Sequence, residues 1–138
     1  MVFALLCWHY VADFALQNDY MVRAKEQLRS AHALIPRNYH PEVDVLHRSS
    51  ATLSIVNNTQ LQQKYFEGLI VLTAHCFIHA FGVLLITGYL RFAAAMLVMH
   101  FVIDYIKSMG RISYAHDQLL HVLSILLISL SAMAFIKV

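Results

Sequence analysis

Apolar positions fall into four long runs separated by polar links, and this pattern predicts four membrane-crossing helices. The runs cover about Met1–Val22, Gly68–Thr87, Tyr89–Lys107 and Asp117–Ile136, each close to the ~20 helical residues that cross a hydrocarbon layer of about 30 Å. Gly88 alone parts the second run from the third, which predicts a tight antiparallel hairpin with Arg91 beside the bend. The third and fourth are joined by the short polar link Ser108–His116. A polar insert at about residues 23–67, holding Pro36, Pro41 and a run rich in Ser, Asn, Thr and Gln, lies between the first and second. Its length reads as one long loop. The expected fold is therefore all-α, an integral membrane four-helix bundle formed by a single membrane domain, residues 1–138, with a long polar loop between helices 1 and 2.

Composition agrees with a lipid environment, since 59% of residues are hydrophobic and the mean hydropathy is +0.60. The N-terminal run lacks a basic leading segment and holds His9 and Asp13 inside its apolar body, so it reads as a retained span rather than a signal peptide. A net charge of +2 offers no electrostatic footprint for nucleic acid. The two cysteines, Cys7 and Cys76, sit inside apolar runs as small hydrophobes and imply no disulfide framework. With four spans, the insert and the 108–116 link share one side, which collects Arg23, Lys25, Arg29, Arg37, Arg48, Lys64, Lys107 and Arg111. Only Arg91 and Lys137 fall opposite, so the excess of basic residues places the insert in the cytoplasm and both termini on the outer side.

Nine histidines are the compositional oddity. Each run carries one pair of metal-capable side chains four residues apart: His9 and Asp13, His75 and His79, His100 and Asp104, Asp117 and His121. That spacing puts both members of a pair on one helix face, roughly 5–6 Å apart at Cβ. A single pair is explained by a His–Asp hydrogen bond gluing helices together. Four pairs are not, because an intramembrane carboxylate costs about 2.5–3.5 kcal/mol on insertion scales. Five neutral imidazoles and three aspartates hold three negative charges, so one divalent cation leaves a deficit and two with a bridging hydroxide balance to zero. Nitrogen and carboxylate donors suit Zn, Mn, Fe or Co. Such a centre can activate water and clamp a phosphoryl or acyl group, which makes hydrolysis the natural enzymatic reading. Gln17 continues the His9–Asp13 face, Lys107 lies near the polar edge beyond Asp104, and Gln118 adjoins Asp117, so these three are the candidate catalytic or substrate-contacting groups. His32, His40 and His47 share no helical period and read as solvated.

The stretches HYVADFALQ at His9–Gln17, HCFIH at His75–His79, HFVIDYIK at His100–Lys107 and DQLLH at Asp117–His121 resemble the bacterial and phage membrane family known as domain of unknown function 3307. The resemblance implies a helical, multi-pass protein of the bacterial inner membrane and carries no established activity. More loosely, the pairs resemble those of membrane-bound metal-dependent hydrolases, an analogy of site rather than of ancestry. The expected function is a metal-dependent hydrolase acting on a phosphorylated or ester substrate at the cytoplasmic interface of the lipid bilayer. The alternatives are a metal-ion or proton transporter and a non-enzymatic membrane protein whose metal only staples its helices.

Overall fold

A computed structural model describes residues 1–34 and 48–136. Its described residues form five α-helices and one π-helical turn, with no strand. Helix α1 (Val2–Tyr10) runs directly into the π turn, Val11–Ala15, where the N–H of Leu16 donates to the carbonyl of Val11, five residues back, at 3.0 Å. The first apolar run is therefore not one straight span through Val22, because its helix stops at Ala15. The cause is local. The Asn18 side chain accepts the N–H of Met21 at 2.9 Å, the bond with which a capping residue opens a new helix. Asp19 adds a negative charge in the first turn of that helix, α2 (Asp19–Leu34).

Helix α2 occupies the start of what the sequence presents as a polar loop. Ala24, Leu28 and Ala31 are buried at spacings of four and three, the stripe of an amphipathic helix. The stripe lies close against α3 because Gly68 has no side chain: a Cβ there would come within 2.9 Å of the Ala24 carbonyl and 3.0 Å of the Leu28 Cβ.

Helix α3 (Arg48–Thr87) is 40 residues long, a rod of about 60 Å at 1.5 Å per residue. Its first part was expected as loop, yet the sequence has neither Pro nor Gly between Pro41 and Gly68 to stop the helix. His40, His47 and both prolines lie outside the described residues, and His32 is exposed on α2.

The hairpin expected at Gly88 is present, with this glycine at φ +75. Helix α4 (Leu90–Ser108) ends with the N–H of Gly110 donating to the Lys107 carbonyl at 2.7 Å and that of Arg111 to the Ile106 carbonyl at 3.2 Å. This paired closure needs a left-handed residue, and Gly110 supplies it at φ +71. Helix α5 (Tyr114–Ile136) follows.

Two helical stretches are long and apolar enough to cross a membrane, Thr59–Thr87 within α3 and Tyr114–Phe135 within α5. The apolar segment Val2–Ala15 is shorter, and α4 carries Arg91, Asp104 and Lys107. Helix α1 packs on α3 and α5, while α4 also lies between those two. Trp8 fixes the α1–α3 contact by donating its indole N–H to the Ile78 carbonyl at 3.1 Å. Gly82 permits this approach, since a Cβ there would run into the Trp8 ring. At the end of the helices near Met1, Leu5, Val83, Phe92, Met96, Ile125, Ile128 and Ala132 form an apolar core.

Candidate metal centre

All four spaced pairs point inward and meet. Their residues form three overlapping groups whose donor atoms lie within 4.8 Å of one another: Asp13, His75, His79 and His100; His9, His100 and His121; Asp104, Asp117 and His121. His100 and His121 each belong to two groups, so the eight residues make one continuous cluster. The rings are close, with His79 and His100 stacked 3.7 Å apart and His100 and His121 tilted at 4.1 Å. Seven of the eight are buried, and Asp13 is half-buried.

Placement follows from local structure. The π turn falls around Asp13, and its carboxylate faces α3, with Oδ1 3.0 Å from His79 Nε2 and 3.2 Å from His75 Nε2, and Oδ2 3.3 Å from His9 Nε2. Asp104 on α4 reaches His121 Nε2 at 3.1 Å and His75 Nε2 at 3.7 Å. Helix α5 begins at Tyr114, three residues ahead of Asp117, so Asp117 stands in its first turn at 3.5 Å from His121 Nε2. This early start and the shortness of the first helix settle how pairs at unequal depths in the sequence come level.

Hydrogen bonding does not account for the arrangement. Both ring nitrogens of His75 and of His100, His9 Nε2 and Asp117 Oδ1 are buried without a hydrogen bond, although several face carboxylates at short range. His75 Nε2 and His9 Nε2 lie 3.2 and 3.3 Å from Asp13, and Asp117 Oδ1 lies 3.5 Å from His121; at about 1–3 kcal/mol for each buried polar atom left unpaired, His75 Nδ1 and the two nitrogens of His100 represent several kcal/mol of unmet demand. Imidazole nitrogens and carboxylate oxygens converging in this state are donor atoms that could hold a metal ion.

Lysines alter the charge of the site. Lys25 on α2 donates to Asp104 Oδ2 at 2.8 Å and Lys107 to Asp117 Oδ2 at 2.7 Å. Three carboxylates less two ammonium groups leave one negative charge, not three. Lys107 was singled out in the sequence as a substrate contact, and here it contacts a carboxylate. Lys25 entered the sequence reading only as a basic residue of the insert. The signal that would have found it is helical spacing: Lys25 and Arg29 flank the buried stripe of Ala24, Leu28 and Ala31 on one turn.

A cavity of about 730 Å³ opens on one side of the cluster, where Asp13, His75, Asp104 and Asp117 form its floor. Gln17, Lys107 and Gln118 line it too. Gln17 accepts from Lys25 at 3.4 Å and Gln118 donates to Asp117 Oδ2 at 3.2 Å. The rest of the wall includes Lys25, Glu26, Arg29 and Ser30 from α2 with Phe14, Val22, Ser108 and Tyr114. The buried side of the cluster, by contrast, abuts the apolar core around Leu5 and Ile125.

Compared with known proteins, residues 1–86 match the family model described as protein of unknown function (DUF3307). Neither a curated protein nor a solved structure matches the chain.

Proposed function

The chain belongs to the DUF3307 family, whose description assigns no activity, so function has to be argued from these residues, and we propose a membrane-embedded, metal-dependent hydrolase acting on a phosphorylated or ester substrate at the cytoplasmic interface. The observation that carries the reading is the cluster itself: eight donor residues in contact, six of their buried atoms without a hydrogen bond, and a cavity opening on one side.

The membrane part rests on the distribution of side chains. Charged and imidazole groups face inward while large apolar ones face out, as with Ile70, Phe77, Phe81 and Leu85 along α3 and Leu123, Leu127 and Leu130 along α5. Exposed apolar surface this extensive needs a covering solvent, and lipid is the one that suits it. In this reading α1 with its π turn, α3, α4 and α5 make up a four-helix bundle in a bacterial inner membrane. The basic helix α2 lies at the cytoplasmic face, and both termini are outside.

The ligands would be drawn from His9, Asp13, His75, His79, His100, Asp104, Asp117 and His121, with the group of Asp13, His75, His79 and His100 offering one carboxylate and three imidazoles. A single divalent Zn, Mn, Fe or Co ion is the better match to the one net negative charge that the lysines leave. Bound there, such an ion supplies a Lewis acid for a phosphoryl or carbonyl oxygen. The protein's own groups do the rest. Lys25 and Lys107 present positive charge to an anion in the cavity, Gln17 bonds Lys25 and Gln118 bonds Asp117, and the apolar core excludes water from behind.

Transport is the second reading, and it needs a polar route through the far half of the molecule. Leu5, Val83, Phe92, Met96, Ile125 and Ile128 fill that half, which favours a site open to one side. Elemental analysis of the full chain, purified in detergent without chelators, tests the proposal. About one equivalent of transition metal per chain is expected, falling several-fold in His75→Ala/His79→Ala. Less than about half an equivalent in the unaltered protein overturns it.

A further inference from the structure

We propose that the molecule entering the cavity is a phosphate ester with an apolar tail, its anion seated on Arg29 and its tail lying along Phe14, Val22 and Tyr114. This inference rests on the hydrolase reading above and names its substrate class.

The cationic groups of the cavity are not equivalent. Lys25 and Lys107 are committed to Asp104 and Asp117 at 2.8 and 2.7 Å. Arg29 lines the same cavity and, among the described residues, makes no ion pair or hydrogen bond, not even with Glu26 three residues before it. Its guanidinium has a close backbone neighbour. It lies over Gly110, where a Cβ would collide with it, at the closing turn of α4. A planar, permanently charged fork at a cavity wall and lacking a partner suits a phosphate oxygen pair better than an ammonium would. Lys25 and Arg29 are one helical turn apart, about 6 Å along α2. An anion on Arg29 therefore lies within one turn of the lysine that touches Asp104 at the cluster.

Exposed apolar side chains offer the tail its place. Phe14 is 62% exposed and Tyr114 59% exposed, although both line the cavity. Phe14 stands just before the break that ends the first helix, so the apolar wall continues onto a surface that the membrane reading places against lipid. A single-chain phosphate ester would cover these side chains with its hydrocarbon and reach Arg29 with its headgroup. The volume of about 730 Å³ is in the range of sites that enclose a small ligand. In the reaction, water oxygen adds to phosphorus, the bond from phosphorus to the alkoxy oxygen breaks, and the proton shed by water ends on the leaving alcohol. Alkyl phosphate and water thus give alcohol and inorganic phosphate.

The test uses the full chain in neutral detergent with dodecyl phosphate and glycerol phosphate as probes, following both equilibrium binding and phosphate release. Dodecyl phosphate should bind at least about tenfold tighter than glycerol phosphate. Arg29→Gln should weaken dodecyl phosphate binding and raise its KM by about 10–100-fold, the range of a lost charge-assisted hydrogen bond, with metal content unchanged and partial rescue in Arg29→Lys. Equal affinity for the two probes overturns the tail and assigns the site to a water-soluble phosphate ester. Unaltered binding in Arg29→Gln overturns the anion seat. Tight, Arg29-dependent binding without release of phosphate from either probe upholds the ligand class and overturns hydrolysis instead.

Discussion

Replacing His100 by leucine should change stability in opposite directions with and without metal. The ring of His100 is fully buried, lies between His79 and His121, and has no hydrogen bond on either nitrogen. In metal-free protein each unpaired nitrogen costs about 1–3 kcal/mol, while a leucine of similar volume repacks for under about 1.5 kcal/mol. The variant should therefore be more stable than the parent by about 1–4 kcal/mol under chelator. With metal present the sign reverses. Loss of one ligand that weakens binding about 100-fold removes about 2.7 kcal/mol of linked stabilisation at saturating ion, in addition to the parent's own gain on satisfying its donors. Thermal unfolding of both proteins in the same detergent, followed by circular dichroism with chelator and with added Zn, reads the crossing directly. If His100→Leu is less stable than the parent under chelator as well, the imidazole is a packing residue and the argument from unpaired donors fails.

Two more substitutions probe separate parts of the molecule. Lys25→Met removes a positive charge 2.8 Å from Asp104 and leaves the cluster with two net negative charges, so metal should bind at least about tenfold tighter; competition against a chromophoric chelator would show an unchanged constant if the charge count is wrong. Gly82→Ala drives a methyl group into the Trp8 ring and should cost about 1–3 kcal/mol in overpacking. Because Trp8 is the single tryptophan, its fluorescence should shift in that variant, and an unmoved spectrum would contradict the close α1–α3 approach.

The donor pairs were legible in the sequence because a spacing of four is a local property: once a helix forms, His100 and Asp104 share a face whatever surrounds them. That the four faces meet is not local, and it needed the packing of α1 and α4 against α3 and α5. The missed elements failed for identifiable reasons. The stripe of α2 is built from Ala24, Leu28 and Ala31, two of them too small to lift a polar segment above its surroundings in hydropathy. The end of the first helix depends on Asn18 capping a new one, a choice made by one side chain inside an otherwise apolar run. Helical spacing could have put Lys25 on the flank of the α2 stripe, but its partner needed the packing, because Lys25 meets Asp104 across 79 residues of chain.

The unbroken length of α3 has a mechanical consequence. His75 and His79 ride on the same helix as residues 48–67, which in the membrane reading stand outside the lipid, and α2 packs on that helix at Tyr65 and Gly68. Whatever grips that projecting end therefore holds one arm of a lever whose other arm carries two imidazoles of the cluster. A tilt or twist applied from outside would arrive at His75 and His79 as a displacement against Asp13, with no hinge between to absorb it.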